Sequence, residues 1–201
     1  MPTGTALRDP RTQLFAAAER ILLDSGPNAL TSRAVTTEAG CAKGVLHRHF
    51  ADFDDFLAAL VRDRIGWLEA RGRTLSGRIG LGGIAENLAD TLDEVFTPLV
   101  AAEVGLVIAR DGLRARLREL VPRGLPLLAE ATRIVRHYLA AEQETGRLAP
   151  EADPAVLAPT LIGAAHLLYA DRESPRPDAA ALRRTVDAVL AGAGAAATPS
   201  S

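Results

Sequence analysis

Residues 31–50 read TSRAVTTEAGCAKGVLHRHF, and this stretch decides the fold of the chain. Apolar residues occur at helical spacing on both sides of Gly40, with Val35 before it and Leu46 and Phe50 after it. Residues at i and i+4 share one face of a helix, and glycine supplies the flexible end that a tight turn needs. The stretch therefore predicts two short helices in a helix-turn-helix motif, the first of them capped by its leading threonine.

The second predicted helix has side chains that suit contact with nucleic acid. A helix that reads DNA presents polar groups near its amino terminus and has donors nearby for phosphate. The residues placed for this work are Cys41, Ala42, Lys43, Gly44, His47, Arg48 and His49. Ordinary alternatives stay open: Lys43, the only lysine of the chain, as a surface charge, both histidines as exposed side chains, and Cys41 as a small buried apolar residue.

The composition sets limits on the class of protein. With 201 residues, 48% of them apolar and 24% charged, the chain can bury a substantial core without cross-links. A single cysteine excludes an internal disulfide and favours a reducing compartment, so we expect a cytoplasmic protein. The net charge of −2 excludes a globally basic domain, and any contact with DNA must therefore be local.

Apolar residues at helical spacing continue along the rest of the chain, and no segment alternates as a strand would, so the sequence predicts an all-α fold. A Gly- and Arg-rich stretch at 71–83 indicates a domain boundary. We predict a DNA-binding domain over residues 8–68, a larger helical domain over 69–192 and a disordered tail over 193–201. Further helices are predicted within 84–99, 104–120, 128–146, 154–169 and 182–190, with Pro98 either ending the first of these or kinking it.

The helix predicted at 154–169 is apolar nearly all round. A helix without a polar face must be covered on every side, and in so small a chain a second subunit is the natural cover. The helix is nevertheless too short to span a membrane and contains Pro159 and His166. We therefore expect a dimer and no membrane segment.

The first 65 or so residues resemble the DNA-binding domain of the TetR family of bacterial transcriptional regulators. The resemblance rests on a long amphipathic helix, a short helix capped by threonine, the run AGCAKGVLHRHF at 39–50 and an acidic start to a fourth helix. It implies an all-α homodimer whose larger domain binds a small molecule and dimerises through its last two helices. Ligand binding in such proteins changes the spacing of the two DNA-reading motifs and releases the operator.

The resemblance also implies roles for individual residues. Thr31, Ser32 and Arg33 fall where the second helix of the family meets the phosphate backbone, and Lys43, Gly44 and His47 fall where its recognition helix meets bases and backbone. Arg48 and His49 occupy neighbouring contact positions, and Val45 of the recognition helix is a further DNA-contact candidate. The family usually has Ser, Thr, Tyr and Lys at the positions of Ala42, Val45, His47 and Phe53, so this chain lacks three hydroxyls and one cation.

The local charge of the predicted motif is small. Residues 28–50 have three basic side chains and one acidic side chain, but the aspartates at 52, 54 and 55 lower the sum to −1. We infer that Arg8 and Arg11 supplement the phosphate contacts from the amino-terminal arm. Binding to DNA should then be modest and sensitive to salt.

The ligand site of the larger domain is less clearly marked. Binding pockets favour aromatic and imidazole side chains with a few polar groups. The candidates of this type are Trp67, Phe96, His137, Tyr138, His166 and Tyr169, and for each of them a place in the core is the alternative. The identity of the small molecule cannot be read from them.

Catalytic and cofactor sites are not indicated. Gly80, Gly82 and Ala85 spell the GxGxxA dinucleotide pattern, and Glu103 follows about twenty residues later, but no buried strand precedes them as that pattern requires. No nucleophile, paired carboxylates or metal-ligand spacing stands out elsewhere. We therefore expect neither enzymatic activity nor a cofactor or metal.

Two classes of function remain open. The first is a TetR-like regulator, acting as a repressor that binds a palindromic operator as a homodimer and is released by a small molecule. The alternative is a helical binding or scaffolding protein whose DNA binding is weak or lost, which the three aspartates and the missing hydroxyls favour. A small enzyme is the weakest candidate.

Overall fold

The computed structural model describes residues 9–118, 124–170 and 177–192. These residues form α-helices and one short 3-10 turn, without a strand, which confirms the predicted all-α fold. In this part of the chain no helix has the length and apolar character needed to cross a membrane. Arg8 and the predicted tail at 193–201 lie outside the described residues.

The described residues contain ten α-helices. In chain order these are α1 Pro10–Ser25, α2 Ser32–Glu38, α3 Gly44–His49, α4 Phe53–Ser76, α5 Ile84–Val95, α6 Pro98–Ala109, α7 Asp111–Leu117, α8 Pro126–Glu144, α9 Pro154–Ala170 and α10 Ala179–Gly192. Helix α1 begins after Asp9, whose side chain accepts hydrogen bonds from two backbone amides, and ends at Gly26 with a φ of 76°. Both ends therefore have a residue type typical of helix caps, an aspartate at the start and a glycine at the end.

Two boundaries differ from those read in the sequence. Helix α4 continues to Ser76, through much of the stretch predicted as a domain boundary, because Leu75 is buried there and Gly72 packs against Ile134. A Cβ at Gly72 would lie 2.9 Å from a side-chain carbon of Ile134, so the glycine serves close packing. Pro98 starts α6, where its fixed φ and missing N–H are tolerated.

The chain divides into two compact units that alternate along the sequence. The first unit comprises residues 1–64 and 102–126, and the second comprises residues 65–101 and 127–201. The limits predicted from the sequence, 8–68 and 69–192, were continuous and placed residues 102–126 in the larger domain. The structure instead groups α7 and most of α6 with the helix-turn-helix motif.

An aromatic cluster fills the core of the first unit. It contains four of the five phenylalanines of the chain, Phe15, Phe50, Phe53 and Phe56. The ring of Phe56 lies 5.1 Å from that of Phe50 and 5.6 Å from those of Phe15 and Phe53, centroid to centroid. Such pairs contribute about 0.5–1.5 kcal/mol each beyond burial, so the cluster ties α1 and α4 to the end of α3.

A polar network lies in the core of the second unit. The amide of Asn87 donates to the hydroxyl of the fully buried Tyr138 at 3.0 Å and to the carbonyl of Leu81 at 2.7 Å. Gly80 and Gly82 adopt φ values of 78° and 62° in the turn between α4 and α5, so the GxGxxA pattern marks a glycine turn. Residues 73–76, before it, belong to α4 rather than to a strand.

Helix α9 is covered on one side within its own unit. Its buried face has Leu157, Leu161, Ile162 and Ala165, whereas Val156 and Leu167 are 60% and 76% exposed. The expectation that the whole helix needs a second subunit is therefore wrong for the face that contains Leu161. Only the face with Val156 and Leu167 is left uncovered by the described residues.

Candidate nucleic-acid interface

The first helix of the motif begins as its sequence predicts. The side chain of Thr31 accepts a hydrogen bond from the backbone N–H of Ala34 at 3.1 Å, which satisfies one of the free amides of the first turn. Val35 is fully buried on the inner face of α2, which packs on α1. The buried hydroxyl of Thr36 donates to backbone carbonyls of its own helix.

The turn between the two helices is built around Gly40. This glycine has a φ of 64°, in the left-handed region that other residues rarely adopt. The backbone N–H of Cys41 then donates to the carbonyl of Thr36 at 3.0 Å and closes the turn. Cys41 is half-buried, and this burial raises the pKa of its thiol. At neutral pH the side chain is therefore a neutral thiol.

Helix α3 has one buried face and one exposed polar face. Leu46 is fully buried and Phe50 nearly so, which anchors the helix on the aromatic cluster. Of the eleven residues predicted to contact DNA, three are half-buried: Ser32, Cys41 and Val45. The remaining eight are exposed: Thr31, Arg33, Ala42, Lys43, Gly44, His47, Arg48 and His49.

Basic residues outside the motif pair with its acidic groups. Arg20 of α1 donates to Glu38 at 2.6 Å, and Arg116 of α7 pairs with Asp52. The same aspartate accepts a hydrogen bond from the backbone N–H of Asp55 at 2.8 Å, the geometry of a helix cap. With the two arginines included, the net charge of residues 28–55 changes from −1 to +1. The acidic residues therefore repel DNA phosphates less than their number in the sequence indicates.

Arg11, predicted to reach phosphate from the amino-terminal arm, stands at the edge of the aromatic cluster. Its guanidinium lies 5.2 Å from the ring centroid of Phe15 and 5.5 Å from that of Phe50. The side chain is exposed on α1, so a charge is present near the motif, held by cation–π contacts.

Two residues of α7 and its N-cap were missed in the sequence. Arg110 donates to the carbonyl of Leu30 and lies 5.4 Å over the ring of Phe53, and Arg116 makes the pair with Asp52. The two polar contacts join residues 80 and 64 positions apart. Helical periodicity reports only neighbours within a few turns, so no local pattern could have revealed them.

The structure distributes the predicted ligand residues over several places in the second unit. Phe96, His166 and Tyr169 lie together, with the Phe96 ring 6.3 Å from His166 and 6.1 Å from Tyr169. Among the described residues, no group forms a hydrogen bond with the buried Nδ1 of His166, and burial lowers the pKa of this imidazole. Tyr138 is part of the buried polar network.

His137 and Trp67 lie apart from that cluster. His137 is exposed and lines an open groove of about 250 Å³. The other residues of this groove are Glu69, Gly72, Arg73, Ser76, Arg133 and Ile134. Trp67 is half-buried on α4, with the guanidinium of Arg71 5.1 Å from the centroid of its ring.

These features define the class of the chain as an all-helical protein with a helix-turn-helix DNA-binding unit. Residues 14–60 match the family model described as bacterial regulatory proteins, tetR family. This match confirms, for residues 14–60, the resemblance to the TetR family stated from the sequence. No curated protein matches the chain.

Solved structures share the fold over nearly the whole chain. The fatty acid degradation regulator FadR from Bacillus halodurans has a TM-score of 0.70 at 17% identity, with 94% of this chain and 98% of that one covered. A TetR-family transcriptional regulator from Rhodococcus sp. has a TM-score of 0.66 at 20% identity, with 92% of this chain and 100% of that one covered. FadR from Bacillus subtilis, solved with stearoyl-CoA, has a TM-score of 0.67 at 17% identity, with 90% of this chain and 98% of that one covered. At these identities the likeness shows the fold alone.

Proposed function

We propose that the chain is a cytoplasmic repressor that binds a palindromic operator as a homodimer and leaves it when a small molecule binds. The observation that carries this proposal is the exposed face of α3, where Lys43 and His47 are exposed while Leu46 beneath them is fully buried. A rigid helix with an apolar anchor and a polar outer face can enter the major groove without unfolding. As a regulator of this kind it needs no catalytic group.

Within this proposal the two helices have different tasks. Thr31, Ser32 and Arg33 hold phosphate at the start of α2, where free amides add donors. Lys43, Gly44 and His47 contact bases and backbone from the start of α3, and Arg48 and His49 contact phosphate beside them. The small local charge implies affinity that falls steeply with salt.

We propose that dimerisation uses the outer face of α9 together with α10. The exposed residues of α9 are Ala155, Val156, Pro159, Thr160, Gly163 and Leu167, and α10 exposes small residues that include Ala180, Ala188 and Ala191. Small residues let helices approach closely, and large exposed apolar groups favour a covered state. Leu167→Glu should therefore give a folded monomer in sedimentation, whereas Leu161→Glu should unfold the second unit. A stable Leu167→Glu dimer would place the interface elsewhere.

The effector site is proposed at the cluster of Phe96, His166 and Tyr169. Its support is the orphaned Nδ1 of His166, because a buried polar atom without a partner can bond a ligand at little further cost. The Bacillus subtilis FadR was solved with stearoyl-CoA. That ligand makes acyl compounds a reasonable first screen. His166→Phe should abolish release of DNA by an effector without weakening operator binding.

Selection from random duplex DNA at low salt tests the proposal. We expect enrichment of a palindrome, and Lys43→Ala should weaken binding to it by roughly 1–3 kcal/mol if the lysine reads a base. Arg136→Ala is the matched control, since Arg136 is exposed on α8 of the second unit. If no palindrome is enriched, the repressor is refuted and the scaffolding alternative is favoured.

A further inference from the structure

One short segment contacts both flanks of the helix-turn-helix motif. This supporting segment, residues 110–116, comprises the N-cap and most of α7. Its contacts reach residue 30, just before the motif, and residues 52–54, just after it. The hydrogen bonds of its two arginines join residues that are 80 and 64 positions apart in the sequence. All of these residues belong to the first compact unit.

At the upstream flank, the contact is made by Arg110. Its guanidinium donates to the carbonyl of Leu30 and at the same time stacks over the ring of Phe53. Leu30 is fully buried and directly precedes Thr31, whose hydroxyl caps α2. Arg110 therefore contacts both the Leu30 carbonyl, directly before the Thr31 cap, and the ring of Phe53. The start of α2 is thus held by a residue outside the motif.

At the downstream flank, two further contacts hold the start of α4. Arg116 pairs with Asp52, the residue whose side chain caps that helix. Gly112 lies so close to Asp54 that a Cβ at this position would be 2.4 Å from its Oδ2 atom. The start of α4, which three residues separate from the end of α3, is therefore fixed by α7 as well.

The motif itself has little apolar surface with which to fix its own position. Within residues 31–50 the buried side chains are Val35, Thr36, Leu46 and Phe50. DNA recognition demands that donors on α2 and α3 keep their spacing to a fraction of an ångström, which requires supporting contacts. We propose that the supporting segment positions the motif for DNA, with Arg110 and Arg116 as positioning residues that act without touching DNA.

This inference rests on the proposed function for its biological use, but the support can be tested without DNA. Amide hydrogen exchange of the full chain should be compared for the wild type, the double variant Arg110→Ala/Arg116→Ala and the control Arg114→Ala. Arg114→Ala removes one positive charge from α7, while the bonds of Arg114 go to Asp111 and to the carbonyl of Ile108 rather than to either flank. Amides bonded to the two flanks, those of Val35 and Phe56, should exchange about tenfold faster in the double variant only.

The second measurement uses the palindrome selected by the wild type and an unrelated duplex of equal length. Arg110→Ala should lower affinity for the palindrome about tenfold and leave that for the unrelated duplex within about twofold. The slope of log affinity against log salt should not change. Arg110→Lys, which keeps a donor for Leu30 but loses the flat stack on Phe53, should recover part of the loss.

The outcomes separate the alternatives. A salt slope smaller by about one would mean that Arg110 binds phosphate itself, which overturns the positioning role. An equal fall for both duplexes would indicate a loss of folded protein and would also overturn it. If the wild type selects no palindrome, the proposed function is refuted. Hydrogen exchange then tests the role of the supporting segment alone, and unchanged exchange at both flanks in the double variant refutes that role.

Discussion

Among the described residues each compact unit has one fully buried glutamate, and the two differ in how their oxygens are satisfied. In the second unit both carboxylate oxygens of Glu142 accept hydrogen bonds from Arg147, at 3.2 and 3.0 Å, and lie 3.3 and 3.4 Å from the backbone nitrogen of Gly80. In the first unit one oxygen of Glu103 accepts from Arg64 at 2.9 Å. No described group donates to the other oxygen.

The difference shows that the effect of a buried carboxyl group depends on the donors around it and not on burial alone. Both oxygens of Glu142 have donors, and this side chain fastens the glycine turn before α5 to the end of α8. Glu103 shares Arg64 with Glu19, which lies 2.7 Å from the same guanidinium. Burial first, and the charges of Glu19 and Asp63 next, raise its pKa from an ordinary 4.5 to about 7, against the attraction of Arg64.

Removing the satisfied carboxylate should have the largest effect. Glu142→Ala removes the acceptor of Nη1 of Arg147 and of the N–H of Gly80, and leaves Arg147 only its bond to the carbonyl of Gly82. We therefore expect the free energy of unfolding to fall by about 3 kcal/mol. Urea denaturation followed by circular dichroism measures this loss. Glu144→Ala, at an exposed position of the same helix, should change it by less than about 0.5 kcal/mol. Similar losses for both variants would contradict the fastening role.

Neutralising Glu103 should increase the free energy of unfolding rather than lower it, by an amount that depends on pH. Between pH 4.5 and about 7 the folded chain keeps a proton on Glu103 that the unfolded chain has lost, so this group lowers stability as pH rises through that window. Glu103→Gln removes the titration. Its stability relative to the wild type should therefore rise by about 1–3 kcal/mol from pH 4.5 to pH 8.

The control for this titration is Glu94→Gln, because Glu94 is half-exposed and pairs with Arg71 on the surface. Its stability curve should run parallel to that of the wild type between pH 4.5 and pH 8. Parallel curves for Glu103→Gln as well would show that Glu103 is ionised throughout. The contrast between the two buried glutamates would then disappear.

The smallest effect is expected for a single hydroxyl in the satisfied network. Tyr138→Phe removes the acceptor of one Asn87 hydrogen bond, but the Asn87 amide keeps its bond to the carbonyl of Leu81. The free energy of unfolding should fall by about 1 kcal/mol in urea denaturation. A loss as large as that of Glu142→Ala would mean that the hydroxyl, rather than Arg147 and Gly80, holds the network together.

The sequence by itself determined the elements that depend on neighbours along the chain. The cap at Thr31, the glycine turn at Gly40 and the buried positions Val35 and Leu46 follow from spacing of three to five residues, and the structure has each of them. The all-α fold follows from the same periodicity repeated over the chain. The placement of the DNA-contact candidates on a largely exposed surface could be predicted on this basis.

Tertiary structure alone decided which distant residues share a unit and which charges are paired. Residues 102–126 join the motif across an intervening stretch of other helices, and Arg110 meets the carbonyl of Leu30 there. Glu103, read in the sequence only as a distant acidic residue, is the buried carboxylate of that unit. Such contacts depend on how helices pack in three dimensions, and a sequence pattern with a period of 3.6 residues carries no record of them.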